Sequence, residues 1–229
     1  MDVIAVIPVR GGSKGILRKN VMPVAGRPLV AWTIEQALAV PDLDVVVSTE
    51  DAEICSVARA AGAGVIHRPV ELAQDETPTE PVVVHAIEEW TQRSGKRPDA
   101  VMLLQATSPV RLPGTLQRAI QQFSDTGVDS LVGVVPCPPF LWGTTEGETM
   151  AYWDFEHRVR RQDMTESQLR YRETGSLYVT RTDVYERQNN RLGGRIGLFV
   201  MDDLEGVDID TMHDLAMAES VLRRLATLT

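Results

Sequence analysis

Apolar residues fall along the chain in short, nearly unbroken runs. They occupy residues 3–9 (VIAVIPV), 44–48, 64–67, 100–104, 130–135, 176–179 and 196–200. Runs of strand length without polar alternation predict strands covered on both faces. Between the first five runs lie segments with helical spacing. LVAWTIEQAL follows Pro28, which suits a first helical position. DAEICSVARAAG starts beside Glu50 and Asp51 and stops near Gly62, as helix termini prefer. EPVVVHAIEEW has Thr79 as a candidate N-cap and Pro81 in its first turn. LPGTLQRAIQQFSD gives a fourth helix, and MHDLAMAESVLRRL follows another candidate cap, Thr211. Strands alternating with helices predict an α/β sandwich around a mostly parallel sheet.

The alternation stops between residues 136 and 172. PCPPF, several glycines, Trp142, Trp153 and the arginines Arg158, Arg160, Arg161, Arg170 and Arg172 fill this stretch. It is too short to bury a core of its own. It therefore predicts an arm, at about 136–172, inserted into a single domain spanning 1–229.

Composition narrows the classes. Cys55 and Cys137 are too few for a disulfide framework and point to a reducing, cytoplasmic setting. The chain has neither a basic leader nor ~18 unbroken apolar residues, so no membrane association is expected. A formal net charge of −9 argues against nucleic acid as a partner, because phosphate-backbone binding needs excess Lys and Arg. Against that background RGGSKGILRKN, residues 10–20, holds Arg10, Lys14, Arg18 and Lys19 and no acid. A small cationic patch in an acidic protein suits a compact polyanion.

That segment directly follows the first predicted strand. Clustered glycines let backbone N–H groups approach an anion, and ligands of open α/β sheets bind beyond the carboxyl ends of strands. The spacing is neither the G-x-G-x-x-G dinucleotide fingerprint nor a Walker A loop. Spacing alone leaves two readings open, a phosphate cradle or a tight turn with solvated lysines.

IPVRGGSKGILRKN followed by GRPLVAWTI strongly resembles the opening of the CMP-N-acylneuraminate synthetases, also called acylneuraminate cytidylyltransferases. VVVSTED, HRPVELAQDETPT, LLQATSPVR, RRQD, YRETGSLYVTR and VDIDTMHDLAMAE continue the resemblance in the family's order, with 136–155 matching only loosely. The resemblance implies a nucleotide-diphospho-sugar transferase fold, a Rossmann-like three-layer sandwich whose inserted arm pairs two subunits into a homodimer. It implies a Mg²⁺-dependent enzyme that joins CTP to an acidic nine-carbon sugar, a sialic-acid-like α-keto acid, and releases pyrophosphate.

The same resemblance assigns residues. Arg10, Gly11, Gly12, Ser13 and Lys14 would meet the triphosphate, and Lys19 and Asn20 would complete the phosphate and ribose contacts. Arg68 of HRP would read the cytosine edge, with Thr79 nearby. Gln105, Arg111 and Arg172 would hold the sugar, and Arg160 and Arg161 would reach the sugar carboxylate of the neighbouring subunit. Asp208 and Asp210 would hold the metal, and Arg10, Lys14, Lys19 and Asp210 would carry catalysis. Arg18 is expected to be a solvated neighbour, and Asp75 and Glu76 ordinary loop acids. Thr174 stands where the family commonly has Asn, so that sugar contact is not carried over.

Taken without the resemblance, several of these residues have plainer readings. Arg68 is then a surface arginine after a short strand, and Gln105 a strand-end amide bonded to backbone. Asp208 and Asp210, two apart on an extended segment, converge on one side; they also suit acids preceding a helix. The arm's arginines and aromatics match an interface core. Asp-x-Asp is also the metal motif of glycosyltransferases, so three functions compete. They are a cytidylyltransferase, a different nucleotide-sugar enzyme such as a metal-dependent glycosyltransferase, and a non-catalytic nucleotide-binding protein.

Overall fold

The computed structural model describes residues 1–12 and 15–226 and is built on a seven-stranded sheet. The strands are β1 (Val3–Pro8), β2 (Pro23–Val24), β3 (Arg27–Pro28), β4 (Asp44–Thr49), β5 (Gly64–His67) and β6 (Ala100–Leu104). They continue with β7 (Ser130–Cys137), β8 (Trp142–Thr145), β9 (Glu148–Ala151), β10 (Arg170–Arg181) and β11 (Ile196–Val200). The helices are α1 (Leu29–Leu38), α2 (Ala52–Ala60), α3 (Thr79–Ser94), α4 (Thr115–Thr126), α5 (Thr182–Gln188) and α6 (Met212–Ala226). The large sheet runs β11-β7-β10-β6-β1-β4-β5. Within it β10 is antiparallel to β6 and β7, and the other pairings are parallel.

Alternation explains why the central strands read as continuous apolar runs. Val3, Ala5 and Ile7 of β1 join one buried cluster with α1, α2 and α4, while Ile4 and Val6 join a second with α3. Ala100, Met102 and Leu104 of β6 divide from Val101 and Leu103 in the same way. Each Val, Leu, Ile or Met side chain among them contributes about 1.5–3 kcal/mol on removal from water. A third cluster, with Ile16, Trp32, Ile209 and Leu222, seats α6 on the segment after β1.

The helix boundaries follow local chemistry. Asp51 caps α2, its Oδ1 accepting from Glu53 N and Ile54 N, each at 3.0 Å. Thr211 faces the α6 terminus as expected: Asp214 N donates to Thr211 Oγ1 (3.3 Å), and Asp214 Oδ2 accepts from Thr211 N (2.8 Å). Pro28 lies just before α1 rather than inside it. Thr79 does not cap α3. It is the helix's first residue, after Pro78, and its side chain makes no capping bond.

From β1 the chain moves outward to β4 and β5 on one side, then returns to β6 on the other. Strand order therefore reverses at β1. A crevice opens at the carboxyl end of such a strand, where the crossovers leave in opposite directions. The glycine-rich segment begins there.

The arm is an excursion between β7 and β10 and carries the β8–β9 hairpin. Its roots are narrower than 136–172: Pro136 pairs with Tyr171 and Cys137 with Arg170 as part of the large sheet.

Candidate active site

After β1 the chain passes through Arg10, Gly11 and Gly12, and the description resumes at Gly15; Ser13 and Lys14 lie outside the described residues. Two internal contacts fix the loop. Asn20 Nδ2 donates to Arg10 O at 3.0 Å. At Gly15 a Cβ would sit 2.8 Å from the Asp210 carbonyl oxygen, so only glycine lets the loop lie against that backbone. Lys19, nearly buried, donates its Nζ to Ile209 O and stands 3.6 Å from Asp210 Oδ1. The loop and the Asp-x-Asp segment, far apart in sequence, are thus one unit.

The described cations of this segment, Arg10, Arg18 and Lys19, have carboxylate neighbours. Arg10 Nη1 pairs with Asp75 Oδ1 at 2.6 Å. Arg18 keeps its side chain 38% exposed, as expected of a solvated neighbour, but it also pairs with Asp51 Oδ2 at 2.5 Å and with Glu53, which raises its pKa and lowers that of Asp51. Gly11 N donates to Glu50 Oε1 at 2.7 Å, while Glu50 Oε2 is buried with no hydrogen-bond partner among the described residues. The signals for Glu50 and Asp51 as helix-start acids were correct for Asp51 but silent on these ties. Nothing local marked Asp75, whose partner is 65 residues away.

Beside the loop lies a cleft of about 410 Å³. Arg10, Gly12, Lys19 and Asn20 line one side of it. Arg68, Thr79, Gln105 and Asp210 enter from the ends of β5, α3, β6 and the segment before α6. Arg68 is 4% exposed, with Nη2 on Ser48 O (2.6 Å) and Nε facing Ser48 Oγ (3.3 Å). Burial pushes its pKa down to about 10, with Glu50 opposing and Arg10 adding, so it remains a cation at neutral pH. It is therefore no surface arginine. Gly175, at φ +67, leaves room for the Gln105 side chain, since a Cβ there would collide with Gln105 Oε1. Leu72, Gln74, Asp75 and Thr77 line the cleft from the loop between β5 and α3, and sequence reasoning had missed them.

Other expected sugar contacts do not line this cleft. Arg111 is 4% exposed, with Nη1 on Thr33 Oγ1 (3.2 Å) and Gln36 Oε1 (2.9 Å). Its Nη2 meets Gln105 O (3.3 Å) and Ser176 O (2.6 Å). Burial lowers its pKa to about 9, against the Glu205 carboxylate, which leaves it charged at neutral pH. It braces the floor under Gln105 instead of facing the cleft. Arg172 donates Nη2 to Gly206 O at 2.9 Å and ties β10 to the segment leading into Asp208. Arg160 is exposed and paired with Asp163, and Arg161 is exposed; neither lines the cleft of its own chain. Thr174 is buried, donating to Gly133 O at 3.1 Å, and serves the sheet.

The two aspartates diverge in setting. Asp210 lines the cleft with its side chain 80% exposed, whereas Asp208 Oδ1 lies 3.2 Å from Ser108 Oγ. Ile209 between them is fully buried. Among the described residues no group of three or more His, Cys, Asp or Glu converges. A cation here would rest on one or two carboxylates with substrate oxygens and water completing its shell, the manner Mg²⁺ favours. The donor set fits that ion.

Fold and cleft together define an α/β protein with a cationic loop at its topological switch point. Residues 4–214 match the family model described as Cytidylyltransferase, and the chain belongs to that family. An N-acylneuraminate cytidylyltransferase A of Danio rerio is 34% identical over 229 residues, covering 97% of this chain and 51% of that protein. The chain thus spans about half the length of that relative. A pseudaminic acid cytidylyltransferase of Campylobacter jejuni is 29% identical over 225 residues, covering 96% of this chain and 95% of that one. A solved CMP:2-keto-3-deoxy-manno-octonic acid synthetase complexed with CTP superposes with a TM-score of 0.73 at 18% identity, covering 98% and 99% of the two chains. The fold is that of the nucleotide-sugar transferases. Among the described residues no helix is long and apolar enough to cross a membrane.

Proposed function

We propose that this protein transfers CMP from CTP to the anomeric hydroxyl of a sialic-acid-like nonulosonic acid and releases pyrophosphate. The observation that carries this reading is the single cleft joining Arg10, Lys19, Arg68, Gln105 and Asp210. Family membership and the relatives named for N-acylneuraminate and pseudaminic acid support it. In the reaction the sugar oxygen bonds to the α-phosphorus, the α–β phosphoanhydride breaks, and the hydroxyl proton is lost. Such a transfer is mostly positioning and charge stabilisation.

Each residue then has a task. Arg10 and Lys19 offset charge on the phosphates, joined by Lys14 and by the backbone of Gly12 and Ser13, while the Gly11 N–H is held by Glu50. Asn20 orders the loop and lies near the ribose. Arg68, fixed by Ser48, aims a planar donor fork at the cytosine edge, a geometry Lys cannot supply. Thr79 borders the nucleotide, and Gln105 offers both donor and acceptor to the sugar hydroxyls. Asp210, with Asp208 behind it, would hold Mg²⁺, which when bound screens phosphate charge. Two chains would pair through the arm, bringing Arg160 and Arg161 to the acceptor carboxylate of the partner's site. Free Cys55 and Cys137 suit the cytoplasm.

A pyrophosphate-release screen with all four nucleoside triphosphates and a panel of α-keto acid sugars tests the reading. Release with CTP and a nonulosonic acid supports it. Release with UTP or GTP and none with CTP refutes it.

A further inference from the structure

The loop between β5 and α3 forms part of the cleft wall. Leu72, Gln74, Asp75 and Thr77 line the cavity, and the turn Val70–Ala73 buries none of its residues. Several hydrogen bonds of this strap stay within it, Leu72 N to Pro69 O (2.9 Å), Thr77 N to Gln74 O (3.2 Å) and Gln74 Nε2 to Val70 O (2.6 Å). The Arg10–Asp75 pair is different. At 2.6 Å it fastens the strap to the loop after β1, and both of its residues line the cleft.

We propose that Asp75 and the polyphosphate exchange for the same cation, Arg10. Substrate entry unlatches the strap, and Asp75 reclaims Arg10 as pyrophosphate leaves. The inference rests on the reading that Arg10 takes the triphosphate. Its physical basis is competition among anions. Asp75 carries one negative charge, while a nucleoside triphosphate carries roughly four near neutral pH. The guanidinium binds either, and binds phosphate oxygens in its preferred fork geometry. The Arg10 and Asp75 side chains are 28% and 50% exposed, so solvent and an entering anion reach the pair. An ion pair this exposed is weak enough to be displaced. It still gives the departing pyrophosphate a competitor already tethered beside it. Asp75 is thus a positioning residue that sets how tightly polyphosphate is held, for substrate and product alike.

Calorimetric binding of CTP and of inorganic pyrophosphate to four proteins tests this: wild type, Asp75→Asn, Arg10→Ala and the double variant. Asp75→Asn is expected to tighten both ligands about two- to fivefold, the range an exposed pair supplies. The gain is expected to vanish in the Arg10→Ala background, and thermal melting of Asp75→Asn should match wild type. Two results overturn the exchange while leaving the Arg10 reading intact. One is unchanged or weaker binding by Asp75→Asn when Arg10→Ala is itself impaired. The other is the same gain with and without Arg10, which makes it a general charge effect. If Arg10→Ala binds CTP as wild type does, the Arg10 reading itself falls and takes the exchange with it.

Discussion

A buried guanidinium is tolerated only where carbonyls or carboxylates replace the water it loses. Arg111 meets that demand at Nη1 and Nη2 with four oxygen acceptors, two of them the backbone carbonyls of Gln105 and Ser176, while its Nε is buried with no hydrogen-bond partner among the described residues. Arg111→Leu should therefore act through stability, at about 1–3 kcal/mol for each buried carbonyl stripped of its donor. Urea unfolding measures this; unchanged stability with a raised KM for the acceptor would restore Arg111 to the sugar site. Asp210 lies at the other extreme, exposed in the cleft with Lys19 beside it. Asp210→Asn should leave folding intact, lower turnover by orders of magnitude and raise the Mg²⁺ concentration for half-maximal rate. Near wild-type turnover at limiting metal would remove it from the site. The contrast also marks what single residues disclose. SPVR shows an arginine, but only the fold around it decides between a wall of the cleft and a brace beneath it.

At the scale of elements the arm is the feature whose surface is least explained by its own chain. Phe140 and Trp153 meet edge to face at 4.7 Å, and Arg158 lies over both rings. Trp142, Tyr152 and Phe155 are more than half exposed on the same excursion. Aromatics gathered around an arginine and open to solvent have the composition of an interface. If the arm serves the partner's site, mixing inactive Asp210→Asn subunits with inactive Arg160→Ala/Arg161→Ala subunits should restore activity, since one site in each mixed dimer is intact. Mixed dimers isolated by two tags that remain inactive would show that the arginines do not act across the interface. The arm also shows where patterning stops being informative. Residues 176–179 were legible as a strand, yet β10 starts at Arg170. Its first half, RYRET, is mostly polar and exposed, and the register shifts between Glu173 and Tyr178. The β8–β9 hairpin, with little buried, left no apolar signal.

Across the whole molecule the doubly covered sheet was plain from the runs in β1, β4, β6 and β7, because strands buried on both faces have little room for polar residues. The position of the cleft followed from strand order, which the linear pattern implies only once β1 is recognised as central. Charge was legible in amount and not in arrangement. Residues 10–20 read as a free cationic patch, whereas Arg10 and Arg18 meet Asp75, Asp51 and Glu53 and Lys19 lies near Asp210. Such pairings join residues distant in sequence, and no local periodicity carries them. One of them, Arg10–Asp75, is the pair proposed above to exchange with polyphosphate.

The central claim is transfer of CMP itself, and phosphorus NMR of a reaction with CTP, Mg²⁺ and a nonulosonic acid observes it directly. The account predicts that the triphosphate resonances give way to one phosphodiester and one pyrophosphate per turnover, with the diester coupled to the sugar. CTP that binds yet yields no phosphodiester with any α-keto acid sugar, or that is merely hydrolysed to CDP and phosphate, would contradict it.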